Sequence, residues 1–69
     1  MIVENIGKRI KELRILKKLT QKQLSEQSGV AFRTIQNYEA GMRVPTLEIA
    51  VILADFFDIS LDDFVGRVR

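Results

Sequence analysis

Arginine, glutamine and asparagine side chains share one face of a helix predicted in the middle of the chain. A helical projection places Ile35 on the inward face, and Arg33, Gln36 and Asn37 lie between about 100° and 200° away from it. Arginine can donate two hydrogen bonds to guanine, and asparagine can pair with adenine in the same bidentate way. Phe32, at the start of this helix, is positioned to touch a thymine methyl group. Each side chain alone would be ordinary solvated surface, but together they predict contacts with the base edges of double-stranded DNA.

The composition gives little support to catalysis or metal binding. The chain contains no Cys and no His, so disulfides and thiolate metal sites are excluded and the commonest general base is missing. Any chemistry would rest on carboxylates, lysines or Tyr38. Asp62 and Asp63 are interpreted as acids in a first helical turn, where they favour the positive end of the helix dipole. We therefore expect no enzyme activity, no cofactor and no metal. With no obvious sensor domain, no small-molecule ligand is indicated.

Residues 20–41 predict two short helices joined by a tight turn. Thr20-x-x-Gln23 is a capping-box sequence at the start of the first helix. Gly29 is a suitable left-handed stop after that helix, and Gly41 is a stop for the second. Two helices joined in this way form a helix-turn-helix, whose second helix can enter the DNA major groove.

The spacing of apolar residues predicts five helices and no strand. The predicted bounds are about Glu4 or Asn5 to Lys17, Gln21–Gln27, about Phe32 to Glu39 or Ala40, Leu47–Phe57 and Leu61–Val65. The inward stripe of helix 1 is Ile6, Ile10 and Leu13. Thr46 and Ser60 are predicted to cap helices 4 and 5. The predicted fold class is all-α, with the helix-turn-helix at its centre.

Size and charge agree with a small nucleic-acid-binding domain. With 69 residues and 46% hydrophobic residues, the chain is predicted to form one domain over residues 1–69. Its net charge of +2 is uneven, because residues 1–43 hold nine Lys or Arg against four Glu, whereas residues 44–69 hold two Arg against five acids. The nine basic residues are Lys8, Arg9, Lys11, Arg14, Lys17, Lys18, Lys22, Arg33 and Arg43. A positive surface favours a polyanionic partner. The chain shows neither a signal-peptide pattern nor a membrane-length apolar run, so we expect a cytoplasmic location without membrane contact.

Helix 4 carries more apolar residues than docking on one core requires. Its predicted docking face is Leu47, Ala50, Leu53, Ala54 and Phe57. A second stripe, Ile49, Ile52 and Phe56, is centred more than about 100° away from that face. This stripe is covered either internally, by helix 5 or by Ile2 and Val3, or by another chain. We expect self-association, because helix-turn-helix proteins usually bind two half-sites as symmetric dimers.

The segment from Ile6 to about Phe64 resembles the lambda-repressor/Cro-like helix-turn-helix family of XRE-like regulators, and it covers nearly the whole chain. The matching residues are Ile10, Leu13, Arg14, Leu19, Thr20, Gln21, Leu24, Ser25, Ser28, Gly29, Val30, Thr34, Ile35, Tyr38, Glu39, Gly41, Pro45 and the run Ile59-Ser60-Leu61-Asp62-Asp63-Phe64. Each piece alone would be weak, but the combination is specific. The resemblance implies a compact five-helix, lambda-repressor-like DNA-binding domain.

The resemblance also implies roles for individual residues. In the family, the glutamine that opens helix 2 braces the DNA backbone, which implies that role for Gln21. Thr34 and the loop around Arg43 match backbone-contacting positions. From their charge rather than from the resemblance, some lysines of helices 1 and 2 are expected to add phosphate contacts, with Lys22 among them. The positions that match base-reading residues are Phe32, Arg33, Gln36 and Asn37.

Helix 3 is predicted to be tied to helix 1 by an ion pair, and two helix ends carry residues that are unusual at those positions. Arg14 and Glu39 match a pair found in many family members, so a partly buried ion pair between helices 1 and 3 is expected. Ala31 stands where Ser or Thr often caps helix 3, which costs about 1 kcal/mol unless another partner replaces the cap. Phe32 replaces a commonly polar base-reading residue. Asp58 stands where Gly is usual, and aspartate tolerates the left-handed conformation less well than glycine.

Two functions are compatible with these residues. The first is sequence-specific DNA binding by a transcriptional regulator, expected to be a repressor, with residues of about 32–40 in the major groove and a homodimer on a palindromic operator. The alternative is a protein-interaction module, such as an antitoxin, that binds a partner through helix 4 while DNA binding is secondary. The Arg33 and Asn37 face and the basic first part of the chain argue against the alternative as the sole function.

Overall fold

A computed structural model describes residues 6–65, and within that range the fold is all-α with five helices and no strand. The helices are α1 (Ile6–Leu16), α2 (Gln21–Ser28), α3 (Phe32–Glu39), α4 (Leu47–Phe56) and α5 (Leu61–Phe64). The predicted beginning of helix 1 at Glu4 or Asn5 lies outside the described residues. None of the described helices is long and apolar enough to span a bilayer. The observed bounds otherwise agree with the predicted ones to within one residue.

One apolar core joins all five helices. The buried residues are Ile6, Ile10, Leu13, Leu24, Val30, Ile35, Tyr38, Ala50, Leu53, Ala54, Phe57 and Phe64. Helices α1 and α2 both pack on α3, while α5 contacts α4 and α1. The three-residue stripe predicted for helix 1 is therefore inward, and burial of such side chains is the main term that stabilises a fold of this size.

A glycine sets the approach of α1 to α3. Gly7 is buried, and a side-chain carbon there would overlap the backbone carbonyl oxygen of Tyr38. Because backbone atoms cannot yield as a flexible side chain can, only glycine permits this separation between the two helices.

Two helices end on residues that are not glycine but adopt a left-handed conformation. Lys18 follows α1 and Asp58 follows α4, each with a φ of 59°. After each, the next N–H donates back into the helix: Leu19 to the Arg14 carbonyl at 3.1 Å and Ile59 to the Ala54 carbonyl at 3.0 Å. This is the bonding pattern of a Schellman motif. The strained conformation expected at Asp58 is thus present, and the equivalent one after α1 was not predicted.

The prediction for the faces of α4 was partly wrong. Leu47 was assigned to the docking face, but its side chain is 70% exposed. It lies on the side of the buried face opposite to Ile49 and Phe56, which the rest of the protein covers. Ile49 and Phe56 are half-buried against the protein's own core, whereas Ile52 is 40% exposed. The core therefore covers one flank of α4, and the opposite flank keeps Leu47, Val51 and Ile52 exposed.

Candidate nucleic-acid interface

The outward face of α3 presents the residues that were predicted to contact bases. Arg33 is exposed and Phe32 is 43% exposed, both in the first turn of the helix. Gln36 and Asn37 follow one turn later and are half-buried. On the opposite side, Ile35 and other core residues hold the helix in place. The helix therefore presents an arginine and two amides together, which are the side chains best suited to base edges.

The turn before α3 is held by side-chain hydrogen bonds to its backbone. Gly29 adopts a φ of 83°, which is left-handed, and its N–H donates to the Ser25 carbonyl at 2.9 Å. The Ser25 hydroxyl donates to the Val30 carbonyl at 2.6 Å, and the Val30 N–H donates to the Ser28 hydroxyl at 3.2 Å. Val30 itself is buried in the core. These bonds satisfy the backbone of a short turn and so set the direction in which α3 leaves it.

The two helices of the motif begin differently. At α2, the Thr20 hydroxyl accepts from the Gln23 N–H at 3.0 Å and the Gln23 side chain accepts from the Thr20 N–H at 2.9 Å, which is the predicted capping box. At α3, Ala31 provides no side-chain hydrogen bond. The expected lack of a cap is therefore real, and α3 depends on packing and on its C-terminal end.

The C-terminal end of α3 is closed by a glycine and leads into the basic loop. Gly41 has a φ of 76°, and the Met42 N–H donates to the Asn37 carbonyl at 2.9 Å. Arg43 follows and is exposed. Burial raises the pKa of the Tyr38 phenol, and the positive charge of Arg43 opposes that increase. A positive charge thus lies near the end of α3.

A buried ion pair ties α1 to the end of α3. The Arg14 Nε donates to Glu39 Oε2 at 2.8 Å and its Nη2 donates to Glu39 Oε1 at 3.0 Å. The third donor, Arg14 Nη1, binds the Leu19 carbonyl at 2.8 Å. Only 13% and 5% of the two side chains are exposed, and the hydrogen bond to Glu39 raises the pKa of Arg14. Arg14 therefore connects α1 to the end of α3 and to the Leu19 backbone, which lies just before α2.

Gln21 takes part in the same network. Its Nε2 donates to Glu39 Oε1 at 3.1 Å, and its side chain is half-buried. The family resemblance implies a role for Gln21 at the DNA backbone, but this bond was not predicted, since no local pattern signals a contact across eighteen positions. Lys22 is exposed beside it, and Thr34 is half-buried on α3. Glu39 therefore orients the first residue of α2 as well as neutralising Arg14.

Comparison with known proteins agrees with this geometry. A helix-turn-helix family model matches residues 10–64. The uncharacterized HTH-type transcriptional regulator YobD of Bacillus subtilis (strain 168) is 41% identical over 58 residues, which are 84% of this chain and 52% of that protein. HTH-type transcriptional regulator AnsR of the same organism is 39% identical over 61 residues, covering 88% of this chain and 53% of AnsR.

A third relative is the cryptic phage CTXphi transcriptional repressor RstR of Vibrio cholerae serotype O1. It is 38% identical over 48 residues, which are 70% of this chain and 43% of that protein. The chain spans about half the length of these curated relatives. No solved structure matches it. The chain belongs to the XRE-like helix-turn-helix family of transcriptional regulators.

Proposed function

We propose that this chain binds double-stranded DNA in a sequence-specific manner by placing α3 in the major groove. The observation that carries the proposal is the exposed Arg33 at the start of α3, with Gln36 and Asn37 one turn behind it on the outward side. Arg33 pairs with guanine O6 and N7, and Asn37 pairs with adenine N6 and N7. Phe32 contacts an apolar group such as a thymine methyl. These contacts determine which sequence is bound.

Contacts to the DNA backbone position the helix. We assign them to Gln21, Lys22, Thr34 and Arg43, which belong to the two helices of the motif and the loop after it. Such contacts carry no sequence information, but they set register and orientation. The oriented amide of Gln21 suits this role, because Glu39 already holds it in place.

The regulatory role is transcriptional repression in the cytoplasm, without catalysis. The name of one relative, RstR, supports repression. A small DNA-binding domain represses when its operator overlaps a promoter, since bound protein then excludes the polymerase. A role as an antitoxin is less favoured, because the relatives named above are transcriptional regulators.

We further propose that the protein binds its operator as a homodimer through α4. The stripe that the sequence indicated for this contact is Ile49, Ile52 and Phe56, and of these Ile52 is the exposed one. Exposed Leu47 and Val51 on the neighbouring turns extend the apolar surface. A two-fold contact there would present two α3 helices to half-sites about 34 Å apart, on a palindromic operator.

DNA binding is tested by selecting duplexes from a random pool and then titrating the selected site at several salt concentrations. We expect the logarithm of the binding constant to fall linearly with the logarithm of salt, by about 0.9 for each phosphate neutralised. An unrelated duplex of equal length is the control, and it should bind much more weakly with a similar slope. Equal affinity for the two duplexes, or no salt dependence, would contradict the proposal.

The dimer is tested by sedimentation of two matched variants. Ile52→Glu places a charge on the exposed flank of α4 and should give a folded monomer with weakened operator binding. Ile15→Glu is the control, because Ile15 is 55% exposed on α1 and should leave the dimer intact. Phe56→Glu is expected to destabilise the fold, since Phe56 packs on the core and lies 5.2 Å from the Phe57 ring. If Ile52→Glu remains dimeric, the contact uses another surface.

A further inference from the structure

A polar groove lies between α1 and the helix-turn-helix, next to the proposed DNA-contacting face. It has a volume of about 360 Å³ and is lined by Lys11, Gln21, Gln36, Glu39 and Ala40. Gln21 and Gln36 are also the residues proposed to contact the DNA backbone and bases. Lys11 comes from α1, outside the helix-turn-helix. The sequence predicts phosphate contacts by some of the helix 1 lysines without distinguishing among them, and the groove singles out Lys11.

The position of Lys11 follows from its neighbours on α1. Gly7, Lys11 and Arg14 are spaced by four and three residues, so they lie on one face of the helix. Gly7 touches the Tyr38 backbone and Arg14 binds the Glu39 carboxylate, so this face packs against the end of α3. Lys11 lies between those two contacts. The backbone at Lys11 is therefore positioned beside the C-terminal end of α3, and the residue is exposed there.

The electrostatics of the groove favour an anion. Glu39 is its acidic group, but both carboxylate oxygens accept hydrogen bonds from Arg14, and Gln21 adds a third. The carboxylate charge is thus neutralised inside the protein. Lys11 forms no ion pair within residues 6–65. Lys11 is therefore a positive charge in the lining of the groove that no carboxylate of the described residues pairs with.

We propose that this groove binds one phosphate of the DNA backbone, with the Lys11 ammonium as its charged donor. This inference rests on the proposed function, because a duplex that accepts α3 brings its backbone past Gln21 and Gln36. One N–H of the Gln21 amide is used by Glu39, and the second N–H is free to donate to the same phosphate. A charged and a neutral donor then converge on one phosphodiester. This contact fixes one DNA phosphate relative to α1. Because α1 packs on α3, the contact helps to set the angle at which α3 enters the major groove.

The first experiment compares the salt dependence of DNA binding for three proteins. Lys11→Met removes the ammonium but keeps an unbranched side chain, and it should weaken binding to the selected and unrelated duplexes alike, by about tenfold. The slope of its log binding constant against log salt should be smaller in magnitude than the wild-type slope by about 0.9. Lys11→Arg should keep the wild-type slope. Lys17→Met is the matched control, because the Lys17 ammonium lies 5.7 Å from the centre of the Phe56 ring, towards α4.

The second experiment identifies the phosphate. Selected duplexes carrying a single neutral methylphosphonate are scanned along one half-site. At one position the substitution should weaken binding of wild type about tenfold but that of Lys11→Met much less, because the charge pair is already lost and only the neutral Gln21 contact is left to change. At other contacted phosphates both proteins should lose affinity equally.

The outcomes separate this inference from the proposed function. If the wild-type protein binds the selected and unrelated duplexes equally well, both the proposed function and this inference are contradicted. Selective, salt-dependent binding with an unchanged slope in Lys11→Met overturns the inference alone. An equal change of slope in Lys17→Met, or no methylphosphonate position that depends on Lys11, also overturns it.

Discussion

Helices α3 and α4 are attached to the core in similar ways but present opposite surfaces. Each is short and buries a few residues, Ile35 and Tyr38 from α3 and mainly Ala50 and Leu53 from α4. The outward side of α3 carries arginine and amides, whereas the exposed flank of α4 carries apolar side chains. Docking on one core therefore does not determine what the outer face binds. The polar face suits DNA, and the apolar face suits another protein surface.

The ends of the two helices are also stabilised in opposite ways. α3 begins at Ala31 without a side-chain cap and ends at Gly41, which adopts the left-handed conformation at little cost. α4 begins at Thr46, whose hydroxyl accepts from the Ile49 N–H at 3.3 Å, and ends at the strained Asp58. α3 therefore lacks the local stabilising contact that α4 has at its start, and the Arg14–Glu39 pair is a tertiary contact that holds its end. Four predictions test how α3 is held in place and how its two faces differ.

The largest expected effect comes from removing the ion pair that holds α3. Arg14→Met should lower the free energy of unfolding by about 3–5 kcal/mol, because it leaves the Glu39 carboxylate buried and unpaired. Replacing Arg14 and Glu39 together with Met should cost less than Arg14→Met, because no charge is left unpaired and only the Leu19 carbonyl and the Gln21 amide lose a hydrogen bond. The control is Arg9→Met, since the Arg9–Asp63 pair is longer, at 3.6 Å, and more exposed, and its loss should cost less than about 1 kcal/mol. Urea denaturation measures all three, and a wild-type midpoint for Arg14→Met would show that the pair contributes little.

The next effect tests whether the residues proposed to read bases differ from those proposed to contact the DNA backbone. Arg33→Ala and Asn37→Ala should each lose about 1–3 kcal/mol of binding to the selected duplex and relax specificity at one base position. Gln21→Ala should weaken all duplexes by about the same factor, because it removes a backbone contact. Titrations against single-base variants of the selected site measure this. An equal loss on selected and unrelated duplexes for Arg33→Ala would reassign Arg33 to a phosphate.

The difference between the helix starts should be reversible by exchanging caps. Ala31→Ser provides a hydroxyl at a residue whose ψ of 140° is already extended, and it should stabilise the fold by about 1 kcal/mol. Thr46→Ala removes the cap of α4 and should destabilise it by about the same amount. Thermal and urea unfolding of both variants provide the comparison. An unchanged midpoint for Ala31→Ser would mean that the first turn of α3 is already satisfied.

The smallest effect is a pH dependence from the inner side of α3. Tyr38 is the only tyrosine in a chain without tryptophan, so its ionisation is measured directly by ultraviolet absorbance. Burial should raise its pKa above the ordinary value of 10.0. Because the folded state disfavours the phenolate, this contribution to stability is fully present below pH 10 and is lost as pH rises through the raised pKa. Tyr38→Phe should remove that part of the alkaline loss. A midpoint equal to that of the urea-unfolded chain would contradict the burial argument.

The sequence alone determined the elements and much of the core, because those features depend on local patterns. Apolar spacing predicted α1 with Ile6 and Ile10 inward, and both are buried. Thr20 and Gln23 predicted the capping box, and glycine at position 29 predicted the left-handed stop. Caps and turns involve residues within a few positions of each other, so residue types place them where the residue is a usual one. The left-handed end of α1 at Lys18 was missed, because lysine is not a usual residue at such a stop. The DNA-contacting roles of residues on the outer face of α3 remain predictions.

Only the tertiary structure decided how those elements meet. It buried one flank of α4 and exposed the other, although both flanks are apolar in sequence. It also directed Gln21 to Glu39 and placed Lys11 in the lining of a groove. A glycine inside helix 1 was a signal of close approach, but Tyr38 as its partner was not visible. Such contacts join residues far apart in the chain, and their formation depends on the packing of whole helices, which no local pattern encodes.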